Sequence, residues 1–369
     1  MDSRWLWALL LLCLVHISVN SVDVSADSLP IIDFALVGQQ KCGTSSLWHY
    51  LRKNSDIYPL AGKKETYAFC IDRAAVPRCD NLLQEYIDKT ERDRASERAQ
   101  GRRVYLGDFT STHFACPCCP ATLKLLNPGL KVIIMLRDPV FRAHSRFVEQ
   151  VQFRTLNHTQ PGQPPGFNAR ANTTSFAAYV DWVVGQTEAC LQRARAREGA
   201  LARRLTMECY MRDHVIGFSV YDSFVLNYLE HFPDKQVLVV YMEDLAAEPL
   251  RVLAQVEAHI GVPHFPYSAD DVGTVFNAHG AYGWGHALNS SHPRKGGLEW
   301  ASTPADSNAT AVLAAVERLR RFFAPSVQRL FALADEGRIT RVPQAWRAIY
   351  GKSAMLGGNP LAALLSAKG

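Results

Sequence analysis

Apolar and polar positions along the chain fall into two kinds of run, and their alternation predicts a layered α/β domain. Ile31 to Val37 is an apolar run, broken only by Asp33 and bounded by Gly38, as expected of a strand buried on both faces. A short polar loop follows, and then Leu47, Tyr50 and Leu51 recur at helical spacing as far as Asn54. This stretch reads as strand, tight loop, helix. Val104 to Leu106 predicts a short strand, with Asp108, Thr110, Ser111 and Thr112 in the polar turn at its C-terminal end. Lys131 to Leu136 and Gln236 to Tyr241 are further buried strands. Helices are expected at 121–126, from Pro139 onward, at about 175–206 and at 218–231. Three more are expected at 249–260, closed by Gly261, and at 308–320 and 324–335. Residues 80–103 read as a charged, solvated helix and loop. There are no internal repeats. Strands alternating with helices imply a parallel sheet with right-handed crossovers.

Two glycine-rich stretches interrupt this order, at 155–175 and 276–298. The first reads as a surface insertion. The second carries Arg294 and Lys295 before Gly296 and Gly297, and reads either as a plain surface loop or as a basic loop able to close over a ligand. In residues 57–70, Lys63, Lys64 and Glu65 precede an aromatic stretch from Tyr67 to Phe69. That pattern is either a solvated charge run or a glutamate held near a basic pocket and available as a base.

Composition sets the compartment. The 369 residues are 48% hydrophobic and 20% charged, with a net charge of +5. That is enough for one large domain with a packed core. No long Lys/Arg run points to nucleic acid. Trp5 to Val19 is apolar for about 15 residues, the length of a signal-peptide core and short for a membrane span. Residues 1–28 are therefore expected to be a signal peptide or signal-anchor with a short stem, 29–351 the domain and 352–369 a tail. Four sequons, at Asn157, Asn172, Asn289 and Asn308, agree with entry into the secretory pathway. So do the eight cysteines after the apolar segment, which favour disulfides over a zinc site because no well-spaced second cluster accompanies Cys116, Cys118 and Cys119. No metal is expected.

The candidate chemistry lies in the loop after the first strand, Lys41-Cys42-Gly43-Thr44-Ser45-Ser46. Such a loop aims backbone N–H groups and a helix N-terminus at one point, which favours an anion. Lys41 adds charge, and the three hydroxyls add donors. The alternative is an ordinary βα turn with a glycine hinge. Gly38 and Gly43 have the separation of a Walker A loop, but Thr44 stands where the lysine belongs. That disfavours a kinase or nucleoside triphosphatase. Cys42 either packs as a small apolar residue or is paired. Arg137, at the end of a buried strand, and Ser145, two turns into the next helix, could face the same anion. Otherwise Arg137 pairs with Asp138 or a neighbouring loop.

The segments Lys41 to Leu47 and Arg137-Asp138-Pro139 through Arg142, Ala143, Ser145 and Phe147 together resemble motifs of the Golgi carbohydrate sulfotransferases. The similarity is greatest to the heparan sulfate sulfotransferases and to N-acetylgalactosamine 4-sulfate 6-O-sulfotransferase. It extends from about residue 31 to 335. It implies a P-loop-like three-layer fold and the co-substrate 3′-phosphoadenosine 5′-phosphosulfate (PAPS). By this resemblance Lys41 to Ser46 hold the 5′-phosphosulfate, Arg137 and Ser145 the 3′-phosphate, and Arg294, Lys295 and Gly296 form a late basic loop on the co-substrate. Glu65 is implied as the base and Lys41 as the group stabilising the leaving phosphate. The acceptor is expected to be a glycan hydroxyl, glycosaminoglycan-like or galactan-like, in the Golgi lumen on a type II membrane protein, or else in a secreted one. A secreted, non-catalytic relative that binds nucleotide or glycan is the alternative. Two departures stand out. Phe109 occupies a position where the heparan sulfate enzymes often have lysine, and the late loop runs His292-Pro293-Arg294-Lys295-Gly296.

Overall fold

Five parallel strands, ordered β2-β3-β1-β4-β5, form the sheet: β1 (Phe34–Gly38), β2 (Ile57–Pro59), β3 (Tyr105–Asp108), β4 (Lys131–Leu136) and β5 (Val237–Tyr241). In this computed structural model the residues described are 31–69, 83–101, 103–155, 175–276, 287–288 and 309–351. The helices are α1 (Thr44–Leu51), α2 (Leu83–Ala99), α3 (Cys119–Leu126), α4 (Pro139–Thr155), α5 (Phe176–Arg195), α6 (Gly199–Met211), α7 (Asp222–His231), α8 (Met242–Ala247), α9 (Pro249–Ile260), α10 (Ala269–Val272), α11 (Ala309–Asp335) and α12 (Gln344–Tyr350). A small antiparallel pair, β6 (Val275–Phe276) and β7 (Ala287–Leu288), completes the described elements.

Alternate residues of the central strands feed two cores, because a strand's side chains point to opposite faces in turn. Ala35, Val37, Val132, Ile134, Val237 and Val239 pack with α4, α5, α7 and α11. Phe34, Leu36, Ile133, Met135, Leu238 and Val240 pack with α1 and α9. Helices therefore cover both faces, giving the expected three-layer α/β arrangement with a parallel sheet.

Several boundaries differ from the sequence reading. The helix expected at 175–206 is two, α5 and α6, broken at Ala196–Glu198 and joined by the disulfide Cys190–Cys209. The two helices expected at 308–320 and 324–335 are one, α11, which runs through Pro325. An interior proline costs about 3 kcal/mol, and packing offsets it here. Phe323, Ala324, Val327 and Leu330 are all buried around that turn. The hydroxyl of Ser326 also accepts the N–H groups of Tyr221 (3.1 Å) and Asp222 (3.2 Å), tying α11 to the start of α7. Strand β2 went unpredicted, as did α8 and α12. Lys64 and Glu65 are buried, so the solvated charge run is not what this segment is.

Cys116–Cys119 is a second disulfide. Among the described residues no helix is long and apolar enough to cross a membrane. The apolar segment 5–19, all four sequons and most of both glycine-rich stretches lie outside the described residues.

Candidate functional site

The C-terminal ends of β3, β1 and β4 carry the candidate residues. These are neighbouring strands in the sheet, and the carboxyl edge of such a sheet, where connections leave in opposite directions, is where ligands bind. The loop from Gly38 to Gly43 leaves β1 with Lys41 at φ 67° and Gly43 at φ 89°. A Cβ on Gly43 would stand 2.8 Å from Met135 Cε, the end of a flexible side chain that can shift, so it is the left-handed backbone angle that demands glycine there. The loop is braced on three sides. Gln39 N–H donates to Met135 O (2.6 Å), Gln39 Nε2 to Phe218 O (2.8 Å) and Arg142 Nε to Gln40 O (3.0 Å). α1 then begins with no side-chain cap, so its first N–H groups are donors without the usual protein partner. Thr44, Ser45 and Ser46 are buried beside them.

Lys41 is not a lone cation over this loop. Its Nζ pairs with Glu149 Oε1 (2.9 Å), while Glu149 Oε2 pairs with Arg146 NH1 (2.5 Å), and all three side chains are buried. Burial pulls the Lys41 pKa down, Glu149 opposes that, and Arg146 and Arg137 add to the lowering. Burial alone would raise the Glu149 carboxyl. The charges of Lys41 and Arg146 override it and hold the group ionised below its ordinary range. Arg137 NH1 reaches Lys41 O (3.4 Å), bringing a second cation to the loop. It does not pair with Asp138. That carboxylate caps α4, accepting from Val140 (2.9 Å) and Phe141 (3.2 Å), and takes the Tyr350 hydroxyl (3.0 Å). Burial, then Glu243, pushes the Asp138 pKa up to about 7.

Glu65 arrives from the segment after β2. Its Oε1 accepts from Lys64 Nζ (2.5 Å) and Ser111 Oγ (3.0 Å). Its Oε2 is buried and, among the described residues, accepts no hydrogen bond of good geometry, although the Tyr67 phenol interacts with the carboxylate; an unmet buried acceptor is costly. The segment is held in place by Thr66, whose N–H donates to Thr110 Oγ1 (2.9 Å) and whose hydroxyl donates to Asp108 Oδ2 (3.2 Å). Tyr67 joins the two charge clusters. Burial raises its phenol pKa, Glu65 raises it further, and Arg146 and Glu149 both act on it.

The remaining sequence candidates divide. Cys42 is a free, buried thiol whose pKa burial pushes up to about 12. Its side chain packs in the core, and only its backbone can meet a ligand. Ser46 Oγ accepts the Phe276 N–H (3.1 Å), so it also anchors β6. Ser145 is half-buried on α4. Arg294, Lys295 and Gly296 lie outside the described residues.

Sequence reasoning passed over Glu149, Tyr67 and the bracing role of Arg142. Arg142 is fully buried, and its NH1 donates to His214 O (2.7 Å), Val215 O (2.8 Å) and Ser219 Oγ (3.2 Å). The available signal was three charged residues, Arg142, Arg146 and Glu149, at helical spacing among the buried apolar positions of α4. We expect Arg142→Met to cost roughly 2–3 kcal/mol, because it strands buried carbonyls that a charged donor had satisfied. Urea denaturation monitored by circular dichroism measures that loss.

A family model for the sulfotransferase domain matches residues 32–272. Over 256 residues the chain is 23% identical to the human bifunctional heparan sulfate N-deacetylase/N-sulfotransferase 3, covering 69% of this chain and 25% of that protein. Over 229 residues it is 21% identical to human heparan sulfate glucosamine 3-O-sulfotransferase 3B1, covering 62% and 45%. The chain thus matches a quarter of the first relative's length and under half of the second's. Among solved structures it is similar to a sulfotransferase from Alicyclobacillus acidocaldarius, with 24% identity, a TM-score of 0.47, and coverage of 86% of this chain and 98% of that one.

Proposed function

The chain belongs to the sulfotransferase domain family, and from that premise we propose that it moves a sulfuryl group from PAPS to a glycan hydroxyl by direct in-line displacement. The residues at the sheet edge fit the donor. The N-terminus of α1 lacks a side-chain cap, Gly43 takes the left-handed angle that lets the loop turn there, and Lys41 and Arg137 bring two cations to the loop. The backbone of Lys41 to Ser46 would hold the 5′-phosphosulfate, and Arg137 with Ser145 the 3′-phosphate. Bound at the Lys41 to Ser46 loop, the phosphosulfate would supply the sulfuryl group.

The observation that carries the reading is the buried Oε2 of Glu65, which accepts no hydrogen bond of good geometry among the described residues although Tyr67 stands close to the carboxylate. An oxygen so placed is ready to accept the proton of an acceptor hydroxyl, provided the hydroxyl comes within hydrogen-bond reach. Lys64 and Ser111 fix the other oxygen and so aim the carboxylate. Lys41, with the N–H groups that open α1, would stabilise charge left on the donor phosphate. A late basic loop at Arg294, Lys295 and Gly296 would add to that grip.

The heparan sulfate specificity named in the two relatives supports a glycan acceptor. The disulfides Cys116–Cys119 and Cys190–Cys209 among the described residues support folding in an oxidising compartment, consistent with a lumenal enzyme of the secretory pathway. Thermal melting tests donor class. Adenosine 3′,5′-bisphosphate at 100 times its Kd should stabilise the fold by about 2.7 kcal/mol, while ATP with magnesium should leave the melting temperature unchanged. The reverse order would replace this reading with a kinase-like one.

A further inference from the structure

The charge of this protein is distributed unevenly. Residues 191–212 hold six arginines against two glutamates, a local net charge of +4, while the whole chain carries +5. Those 22 residues form the end of α5, the break at Ala196–Glu198 and all of α6. Arg193, Arg195 and Arg197 precede or sit in the break, and Arg203 and Arg204 follow within two turns. All five are exposed. They therefore crowd around the tip of one helical hairpin. Arg204 pairs with Glu208 (3.0 Å) and Arg203 with Glu230 (3.6 Å), both in solvent, where such pairs contribute little. Arg193, Arg195 and Arg197 make no ion pair among the described residues.

Like charges gathered this closely repel one another, and nothing in the fold needs them there. The hairpin is also rigid. The disulfide Cys190–Cys209 ties its two helices together, and Phe176, Tyr179, Val180 and Val183 bury the base of α5 in the main core. A fixed array of cations loses little side-chain and backbone freedom on meeting an anionic chain. Every basic residue in this stretch is arginine. Its planar fork matches the oxygens of sulfate and carboxylate groups in pairs, which an ammonium cannot do.

We propose that this arginine tip is an accessory binding site for a linear, sulfated or carboxylated polysaccharide, separate from the Glu65–Lys41 centre. It would hold a polymeric acceptor through charge while the chemistry occurs elsewhere on the chain. A polysaccharide is favoured over nucleic acid because the disulfides place the hairpin in an oxidising compartment. The identity of the polyanion rests on the glycan-acceptor reading above, but the binding site itself does not need turnover.

The test uses the full chain, heparin as the probe and two charge-matched variants. One carries Arg193→Ala, Arg195→Ala and Arg197→Ala. The other carries Lys235→Ala, Arg251→Ala and Arg341→Ala, all exposed and elsewhere on the surface. The tip variant should elute from heparin at clearly lower salt than the control variant, although both elute alike from a sulfopropyl resin. Its heparin affinity should fall on the order of ten-fold, with the slope of log affinity against log salt shallower by about two to three, since fewer counterions are released. Its KM for polymeric acceptor should rise, with kcat and the KM for a short oligosaccharide unchanged. Equal heparin shifts in the two variants would overturn the proposal, as would single-stranded RNA displacing heparin at equal charge. If wild type sulfates glycans but the tip variant elutes normally, the tip site fails and the sulfotransferase reading stands. If the heparin shift appears but no glycan is sulfated, the acceptor reading fails and the tip site stands.

Discussion

Glu65→Gln is expected to lower turnover by about 10²–10⁴-fold, the usual contribution of a positioned base, while donor affinity stays within about two-fold. Glutamine keeps the shape of the side chain and can still accept the bonds that Lys64 and Ser111 now give to Oε1. What it loses is the ability to take a proton at Oε2, the buried oxygen that accepts no well-formed hydrogen bond among the described residues. The neighbouring Lys64 ion pair makes a charge-loss artefact conceivable. Lys64 would then lose its partner, and the segment from Glu65 to Ala68 would loosen. Thr66 argues against that outcome, because its bonds to Thr110 and Asp108 hold the segment independently. The measurement is single-turnover sulfate transfer together with the Kd for adenosine 3′,5′-bisphosphate. A variant with wild-type turnover would remove Glu65 as the base. A variant with lost turnover and lost nucleotide binding would mean that the segment, not the proton transfer, was damaged.

The second large effect is expected at Lys41. Lys41→Met should reduce turnover by about 10²–10³-fold, comparable to removing one preorganised donor from a transition state. Methionine preserves the apolar stem, and Arg146 still neutralises Glu149 at 2.5 Å, so the fold should survive. The ion pair with Glu149 adds a second expectation. In the protein alone Lys41 is engaged by Glu149 at 2.9 Å, so donor binding must compete with, or share, that contact. Glu149→Gln should therefore tighten donor binding, measured as a lower Kd for the bisphosphate, because a neutral amide holds the ammonium less strongly than a carboxylate. A weaker Kd in that variant would mean that Glu149 positions Lys41 for the donor and does not compete for it.

The strands that frame the site were legible because they are buried on both faces. Phe34 to Val37, Val132 to Leu136 and Val237 to Tyr241 are apolar without interruption, and each lies in a strand of the sheet. The loop after β1 was legible for a different reason, since Gly43 stands at a position that only glycine fills without strain. β2 was not legible. It is three residues long, its central Tyr58 is exposed, and it ends in Pro59, so neither alternation nor apolar length marks it. The hairpin of α5 and α6 read as one helix because the residues at its break, Ala196 to Glu198, include good helix formers. Pro325 misled in the opposite direction, since packing around Phe323 and Val327 outweighs its local cost.

Within the candidate site, residues marked by local pattern were legible as candidates and those whose contacts depend on a distant partner were not. Lys41, Glu65 and Arg137 announce themselves by their place after a strand or beside an aromatic run. Glu149 is separated from Lys41 by 108 residues. From sequence alone a glutamate midway along a helix reads as a solvated face. Only the fold puts it on Lys41. The same holds for Arg142, whose bonds reach Gln40 in one direction and His214 and Val215 in the other.

The central claim is that this sheet edge transfers sulfate from PAPS, and it is tested most directly by incubating the purified full chain with sulfur-labelled PAPS and a panel of desulfated glycosaminoglycans and galactans. The account predicts label on at least one glycan with stoichiometric release of adenosine 3′,5′-bisphosphate. It is contradicted by a chain that binds neither the bisphosphate nor PAPS, and equally by one that binds the bisphosphate yet transfers label to no glycan in the panel.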